Sequence, residues 1–183
     1  MIELEIPVEL VLEAERHSVN RMSYEYDRFG FKDNQRMTMI LIGTIGQLIL
    51  KKYLEENKIV FDFEYQAGQY DEMDFSINNE IVEVKTSGYG QGGFNRLNLL
   101  YSEDQFRAGL NKNFAYCVQI FINGYNRQAK ILDKELCDSA TIAGYMPFSD
   151  IGNFWQKRRF YGDDYKVPLN KLININNLIG IDL

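Results

Sequence analysis

The chain has 183 residues, 45% of them hydrophobic and 25% charged, enough to bury a core without staples and short enough for one domain. Its formal net charge of −6 argues against a protein whose only task is to coat nucleic acid, which takes clustered Lys and Arg, yet leaves room for local basic patches and cation-recruiting carboxylates. Two cysteines without zinc-ligand spacing, a lone His17 and the acidic stretch MIELEIPVELVLEAE exclude a disulfide scaffold, multi-imidazole chemistry and a targeting peptide; no apolar run approaches a bilayer span, so a cytoplasmic protein without a membrane is expected.

Pro7 followed by VELVLEAERHSVNRMSYEYD predicts a first helix with its apolar residues at Val8, Val11, Leu12 and Met22. A polar break, FGFKDNQR, separates it from a second helix over about Met37 to Asn57, with Leu41, Ile45, Leu48 and Ile49 along one stripe. From Ile59 to Ile131 the period shortens, and IVFDFEY, EMDFSI, EIVEVKT and AYCVQIFI read as strands. Between them SEDQFRAGLNKN predicts a short helix, since Ser102 and Gln105 have capping-box spacing. TIAGYMPF reads as one more strand, Ile151 to Arg159 as a helix, and YKVPLNKLININNLIG as loop. The order predicts an α/β (α+β) domain with a central mixed β-sheet flanked by helices. Residues 1–36 form its helical extension, 37–132 its core, and 133–183 its C-terminal elements.

DFSINNEIVEVK is the most informative segment. Asn78-Asn79 suits a two-residue hairpin turn with positive φ, which sets Phe75 opposite Val82, Asp74 opposite Glu83 and Glu72 opposite Lys85. Alternation then puts Met73, Phe75, Ile77, Val82 and Val84 on an apolar face and Glu72, Asp74, Glu83 and Lys85 on the other. Opposed cross-strand residues sit roughly 4.5–5.5 Å apart at Cβ, and like charges there are destabilising. A divalent cation between Asp74 and Glu83 removes that penalty, and oxygen ligands suit Mg²⁺ or Mn²⁺. A hydrated face on which Glu72 pairs with Lys85 is the competing reading, and the pattern alone does not choose.

An Asp followed by Glu-x-Lys on the second strand of a hairpin resembles the PD-(D/E)XK nuclease superfamily, with its restriction-endonuclease-like fold. The resemblance runs from about Met37 to Ile122. It implies a metal-dependent nuclease, a DNA endonuclease, in which Asp74, Glu83 and the backbone carbonyl of Val84 hold Mg²⁺ or Mn²⁺ and Lys85 assists the attacking water. GTIGQLILKKYL matches the helix that often carries a G-x-x-G-E segment there, but Gln47 stands where the acid is expected. Gln47 offers a carbonyl oxygen without charge, which lowers expected metal affinity. A catalytically inert module that binds a protein or nucleic acid is therefore the alternative. Gly43 and Gly46 each cost about 1 kcal/mol relative to Ala inside a helix, which points to close helix–sheet approach. Gln105 is a further polar candidate, for which the capping box is the preferred explanation.

GYGQGG, from Gly88 to Gly93, spells a dinucleotide-binding turn, but a charged strand precedes it and no helix signal follows, so no nucleotide cofactor is expected. It reads instead as a loop beside the site, carrying Tyr89, Gln91, Asn95 and Arg96. WQKRRFYG holds the densest basic cluster, Lys157, Arg158 and Arg159; basic residues ending a helix among core aromatics explain it first, phosphate contact with base stacking second. Lys51, Lys52, Arg96 and Arg107 complete the candidates for nucleic-acid contact. Cutting both strands of a duplex favours a homodimer.

Overall fold

The computed structural model describes residues 1–22, 32–63, 75–158 and 162–180, with the backbone alone for Arg158, Gly162 and Asp163. In chain order the elements are β1 (Ile2–Glu5), α1 (Val8–Arg21), α2 (Asp33–Glu56), β2 (Phe61–Asp62), β3 (Phe75–Ile77), β4 (Glu80–Gly88), β5 (Asn98–Ser102), α3 (Glu103–Asn111), β6 (Tyr116–Ile122), β7 (Tyr125–Asn126), β8 (Ile131–Leu132), β9 (Ser139–Pro147), β10 (Trp155–Arg158), β11 (Gly162–Pro168) and α4 (Ile175–Ile179). Six strands form a mixed sheet in the order β1-β9-β6-β4-β3-β2, in which β4 and β6 run parallel and the other neighbours antiparallel. A second sheet, β10-β11-β5, is antiparallel throughout. The molecule is a mixed α/β structure whose main sheet is flanked by helices.

Two apolar clusters follow from this layering. On one face of the main sheet Val82, Val118, Ile120, Ile122 and Ile142 pack with α1 and α2, including Leu10, Val11, Ala14, Ile45, Leu48 and Ile49. On the other face Cys117 and Met146 meet Leu99, Tyr101, Tyr165 and Val167 of the small sheet, with Phe106 and Phe148 stacked at 5.4 Å between centroids. The expected stripe on α2 is therefore buried as a unit, while on α1 the buried positions are Leu10, Val11, Ala14 and Ser18. Val8 and Leu12, assigned to the core from the sequence, are 69% and 53% exposed, because the face toward α2 is set by its contacts with Thr44 and its neighbours rather than by hydropathy alone. By length and composition α2 is apolar enough to cross a bilayer, contrary to the expectation from its sequence; here most of that apolar stretch is buried against α1 and the sheet.

The glycine rationale divides. A Cβ on Gly46 would overlap Thr86 Oγ1 and lie 2.7 Å from its Cγ2, so α2 touches β4 at that point and only glycine fits. Gly43 has nothing within 4 Å of a built Cβ, so close approach does not account for it. Gly144 has φ of 142° where the β6–β9 register shifts between Gln119 and Ile120, a bulge that a side chain would block by meeting the Ile173 carbonyl.

The C-terminal region departs most from expectation. The helix expected over Ile151 to Arg159 is a 3-10 turn, Phe148–Phe154, followed by β10, and the expected loop contains β11, a second 3-10 turn at Leu169–Lys171 and α4. Trp155 is 51% exposed, and a strand at a sheet edge need not show the alternation that identifies buried strands. β1 was also absent from the sequence reading, its four residues being too few to show a period.

Candidate functional site

The β3–β4 hairpin places the central residues. Asn78 and Asn79 both take positive φ, 54° and 64°, the conformation of a type I′ turn, and the strands pair Phe75 with Val82, Ser76 with Ile81 and Ile77 with Glu80. This is the register expected from the sequence. Phe75, Ile77 and Val82 are buried on the α2 side, as expected. Asp74, with Glu72 and Met73, lies outside the described residues.

Glu83 and Lys85 therefore point away from α2, toward the small sheet, and the structure brings them together. Lys85 Nζ lies 3.2 Å from Glu83 Oε1, with 23% and 18% of the two side chains exposed. This face is not open to water along its length. Tyr101, contributed by β5 and 1% exposed, donates its hydroxyl proton to Glu83 Oε2, and its ring lies under Lys85 with Nζ 4.5 Å from the centroid. Cys117, next to Glu83 across the parallel β4–β6 pair, has its sulfur 2.9 Å from the same hydroxyl. A phenol carries one proton and the carboxylate is the stronger acceptor, so Tyr101 donates to Glu83, with the Cys117 sulfur packed against the same hydroxyl. Burial first, then the neighbouring Cys117 and Glu83, holds the Tyr101 hydroxyl well above its ordinary pKa.

Sequence reasoning missed Tyr101. Leu99 and Tyr101 alternate with the exposed Leu100 and Ser102, which marks their face as buried, but nothing local shows which strand that face meets.

Replacing Tyr101 by Phe is expected to cost about 1.5–3 kcal/mol at neutral pH, the range for a hydrogen bond to a charged group, read as a lower unfolding temperature. The pH dependence has a definite sign. The folded state keeps the Tyr101 proton above pH 10 whereas the unfolded chain loses it, so stability intact below pH 10 is lost as pH rises toward the raised folded value. The Phe variant should show a shallower alkaline decline than the parent; an equal slope in the two would remove Tyr101 from that window.

The remaining candidates are dispersed. Gln47 is buried on α2 and accepts from Arg21 Nη1 at 3.2 Å, part of a polar seam with α1 in which Ser18 and Thr44 also take part. Its helix covers the Val82–Thr86 face, opposite the one bearing Glu83 and Lys85. Val84 packs against the same core from the middle of β4. Lys51 and Lys52 pair with Glu55 and Glu56 on α2, and Arg107 with Glu103 on α3. Arg96 is exposed in the loop before β5. Lys157 and Arg158 belong to β10, opposite Asp163 and Gly162, and Arg159 lies outside the described residues. Among the described residues Lys51 and Lys52 lie on α2, which packs on one face of the main sheet, and Arg107 lies on α3, whose Phe106 packs on the other. Gln105 completes a capping box, with both Ser102–Gln105 bonds at 3.3 Å. After Gly88 the chain runs through turns into β5, and no helix opens within the glycines.

Among the described residues no three of His, Cys, Asp and Glu gather closely enough to hold a metal ion. Glu83 supplies one carboxylate; its two oxygens offer about four acceptor positions, of which Tyr101 and Lys85 use two. As a hard oxygen donor it suits Mg²⁺ or Mn²⁺ as one ligand of a larger set. Comparison of the chain with protein-family models, with curated proteins and with solved structures returned no match in any of the three.

Proposed function

We propose that the protein is a metal-dependent nuclease of the PD-(D/E)XK kind, with a restriction-endonuclease-like core, hydrolysing phosphodiester bonds in DNA. The observation that carries this reading is the Glu83–Lys85 pair: an acid and a cation 3.2 Å apart on the second strand of a hairpin, both still partly exposed. Glu83, with Asp74 from the other strand and the Val84 carbonyl, would hold Mg²⁺ or Mn²⁺. Bound there, the ion supplies a water of lowered pKa and a Lewis acid for phosphate oxygens. Lys85 serves as the fixed cation that neutralises charge on the non-bridging oxygens as the water oxygen bonds to phosphorus and the bond to the leaving oxygen breaks. Tyr101 fixes the Glu83 carboxylate and presents its ring to the Lys85 ammonium, so neither side chain has to be ordered when substrate arrives. The two free thiols fit a reducing, cytoplasmic setting, and cutting both strands of a duplex would take two chains.

A second reading is favoured by a specific observation. Both Glu83 oxygens already have protein partners, and Gln47, in the place of a helix acid, is held by Arg21. That arrangement suits a nuclease-like module that binds a protein or nucleic acid without cutting. Calorimetric titration with Mn²⁺ separates the two. The nuclease reading expects saturable binding that weakens at least tenfold in Glu83→Gln and in Asp74→Asn; absence of binding by the parent chain leaves the inert module.

A further inference from the structure

A groove of about 650 Å³ opens at the Asn98–Pro168 end of the small sheet, away from Glu83 and Lys85, neither of which lines it. Its polar wall consists of Asn95, Arg96, Asn98, Lys166, Asn170 and Asn174. Among the described residues no Asp or Glu contributes to the lining, in a chain that carries 26 acids against 20 Lys and Arg. Among the described residues neither Arg96 nor Lys166 forms an ion pair, while Lys51, Lys52, Lys85, Arg107 and Lys134 all do. The nearest acid along β11, Asp164, lies two residues before Lys166 and is not part of the wall. Two uncompensated cations in an acid-free concavity of a net acidic chain raise the local concentration of anions.

The remaining chemistry narrows the ligand. Four carboxamides, each able to donate and accept, suit a body rich in hydroxyl groups. Two of them are held by the backbone: Asn98 donates to the Arg96 carbonyl at 3.4 Å, and Asn174 accepts from the Asn176 amide at 3.1 Å as the cap of α4. Leu97, Ala143 and Leu172 supply apolar surface, but among the described residues no aromatic ring lines the groove to serve as a platform for stacking a base. Its volume lies within the usual 300–1,000 Å³ of small-ligand sites.

We infer that this groove is a second binding site, taking a small phosphorylated organic anion of the sugar-phosphate class, with the phosphate on Arg96 and Lys166 and the hydroxyls on the carboxamides. On this inference Arg96 serves the groove, which does not depend on the chemistry at Glu83. Calorimetry on the full chain in EDTA, which silences any metal-dependent step, tests it with three probes: ribose 5-phosphate, inorganic phosphate and an oligo-dT strand. Saturable binding of ribose 5-phosphate is expected, with inorganic phosphate at least tenfold weaker and with Arg96→Ala and Lys166→Ala each weakening ribose 5-phosphate about tenfold. Both substitutions are at exposed positions, and circular dichroism confirms the fold of each variant. No saturable binding of ribose 5-phosphate, or binding indifferent to both substitutions, overturns the assignment. Oligo-dT binding that depends on Arg96 and Lys166, without ribose 5-phosphate binding, also overturns it and makes the groove a path for a strand. Because no arm requires cleavage, a catalytically dead chain leaves the result readable.

Discussion

If the chain cleaves phosphodiesters as proposed, Lys85→Ala is expected to lower the Mn²⁺-dependent rate by about two to three orders of magnitude, the usual loss when one preorganised donor to a developing anion is removed. Its effect on stability should be small. Lys85 and Glu83 keep 23% and 18% of their side chains exposed, and Tyr101 still holds the Glu83 carboxylate when the ammonium is gone. Rate and unfolding temperature therefore separate, which distinguishes loss of a reacting group from loss of the fold. Glu83→Gln should match the rate loss and also weaken Mn²⁺ binding, whereas Lys85→Ala should leave metal affinity nearly intact. Cleavage by Lys85→Ala at the parental rate would take this lysine out of the mechanism and leave the Glu83–Lys85 pair as a structural contact.

Gly46→Ala is expected to destabilise the protein by about 2–3 kcal/mol, at the upper end for overpacking, which in a chain of this size lowers the unfolding temperature by roughly 5–10 °C. The cause is local. The new methyl group would overlap Thr86 Oγ1, with Thr86 Cγ2 at 2.7 Å and Cβ at 2.8 Å, and neither α2 nor β4 can retreat without opening the core they share. Thr86→Ala removes the two nearest atoms and should recover part of the loss in the double variant, a coupling that thermal denaturation of the four-member cycle measures. Thr86 Oγ1 is buried and has no hydrogen-bond partner among the described residues, so its removal discards no bond. Gly43→Ala, three residues earlier on the same helix, meets no atom within 4 Å and should raise stability by up to about 1 kcal/mol through helix propensity. Equal responses at the two glycines would refute the close approach of α2 to β4.

The contrast between these glycines shows what the sequence can convey. Both were read as signs of helix–sheet contact, because a glycine inside a helix has a known cost, but only the partner surface tells which one is needed. The hairpin was legible from Phe75 to Val82, since a two-residue Asn-Asn turn fixes register and period-two alternation then assigns these side chains to a face. The capping box of α3 and the buried stripe of α2 were legible for the same reason: their determinants lie within one or two turns of chain. What covers the Glu83 face was not legible. Tyr101 stands 18 positions from Glu83, in a strand of the other sheet, and reaches the carboxylate only because β5 pairs with β11 and that sheet packs on Cys117 and Met146. The charged face of β4 was thus read as open, when a buried phenol closes part of it. β10 failed to register because aromatic and basic residues in WQKRRFYG look alike at a helix end and on an edge strand.

The pairing of Ile2 with Ile142 sets an order of events during synthesis. With translation adding about 5–20 residues per second, the first strand spends on the order of ten seconds outside the ribosome before its hydrogen-bonding neighbour exists. Until then β6 also lacks the partner on its β9 side, leaving a long apolar strand with one open edge in the nascent chain. Holdase chaperones should meet this protein during that interval, and shortening the polypeptide before Ser139 should yield an aggregate rather than a smaller folded unit.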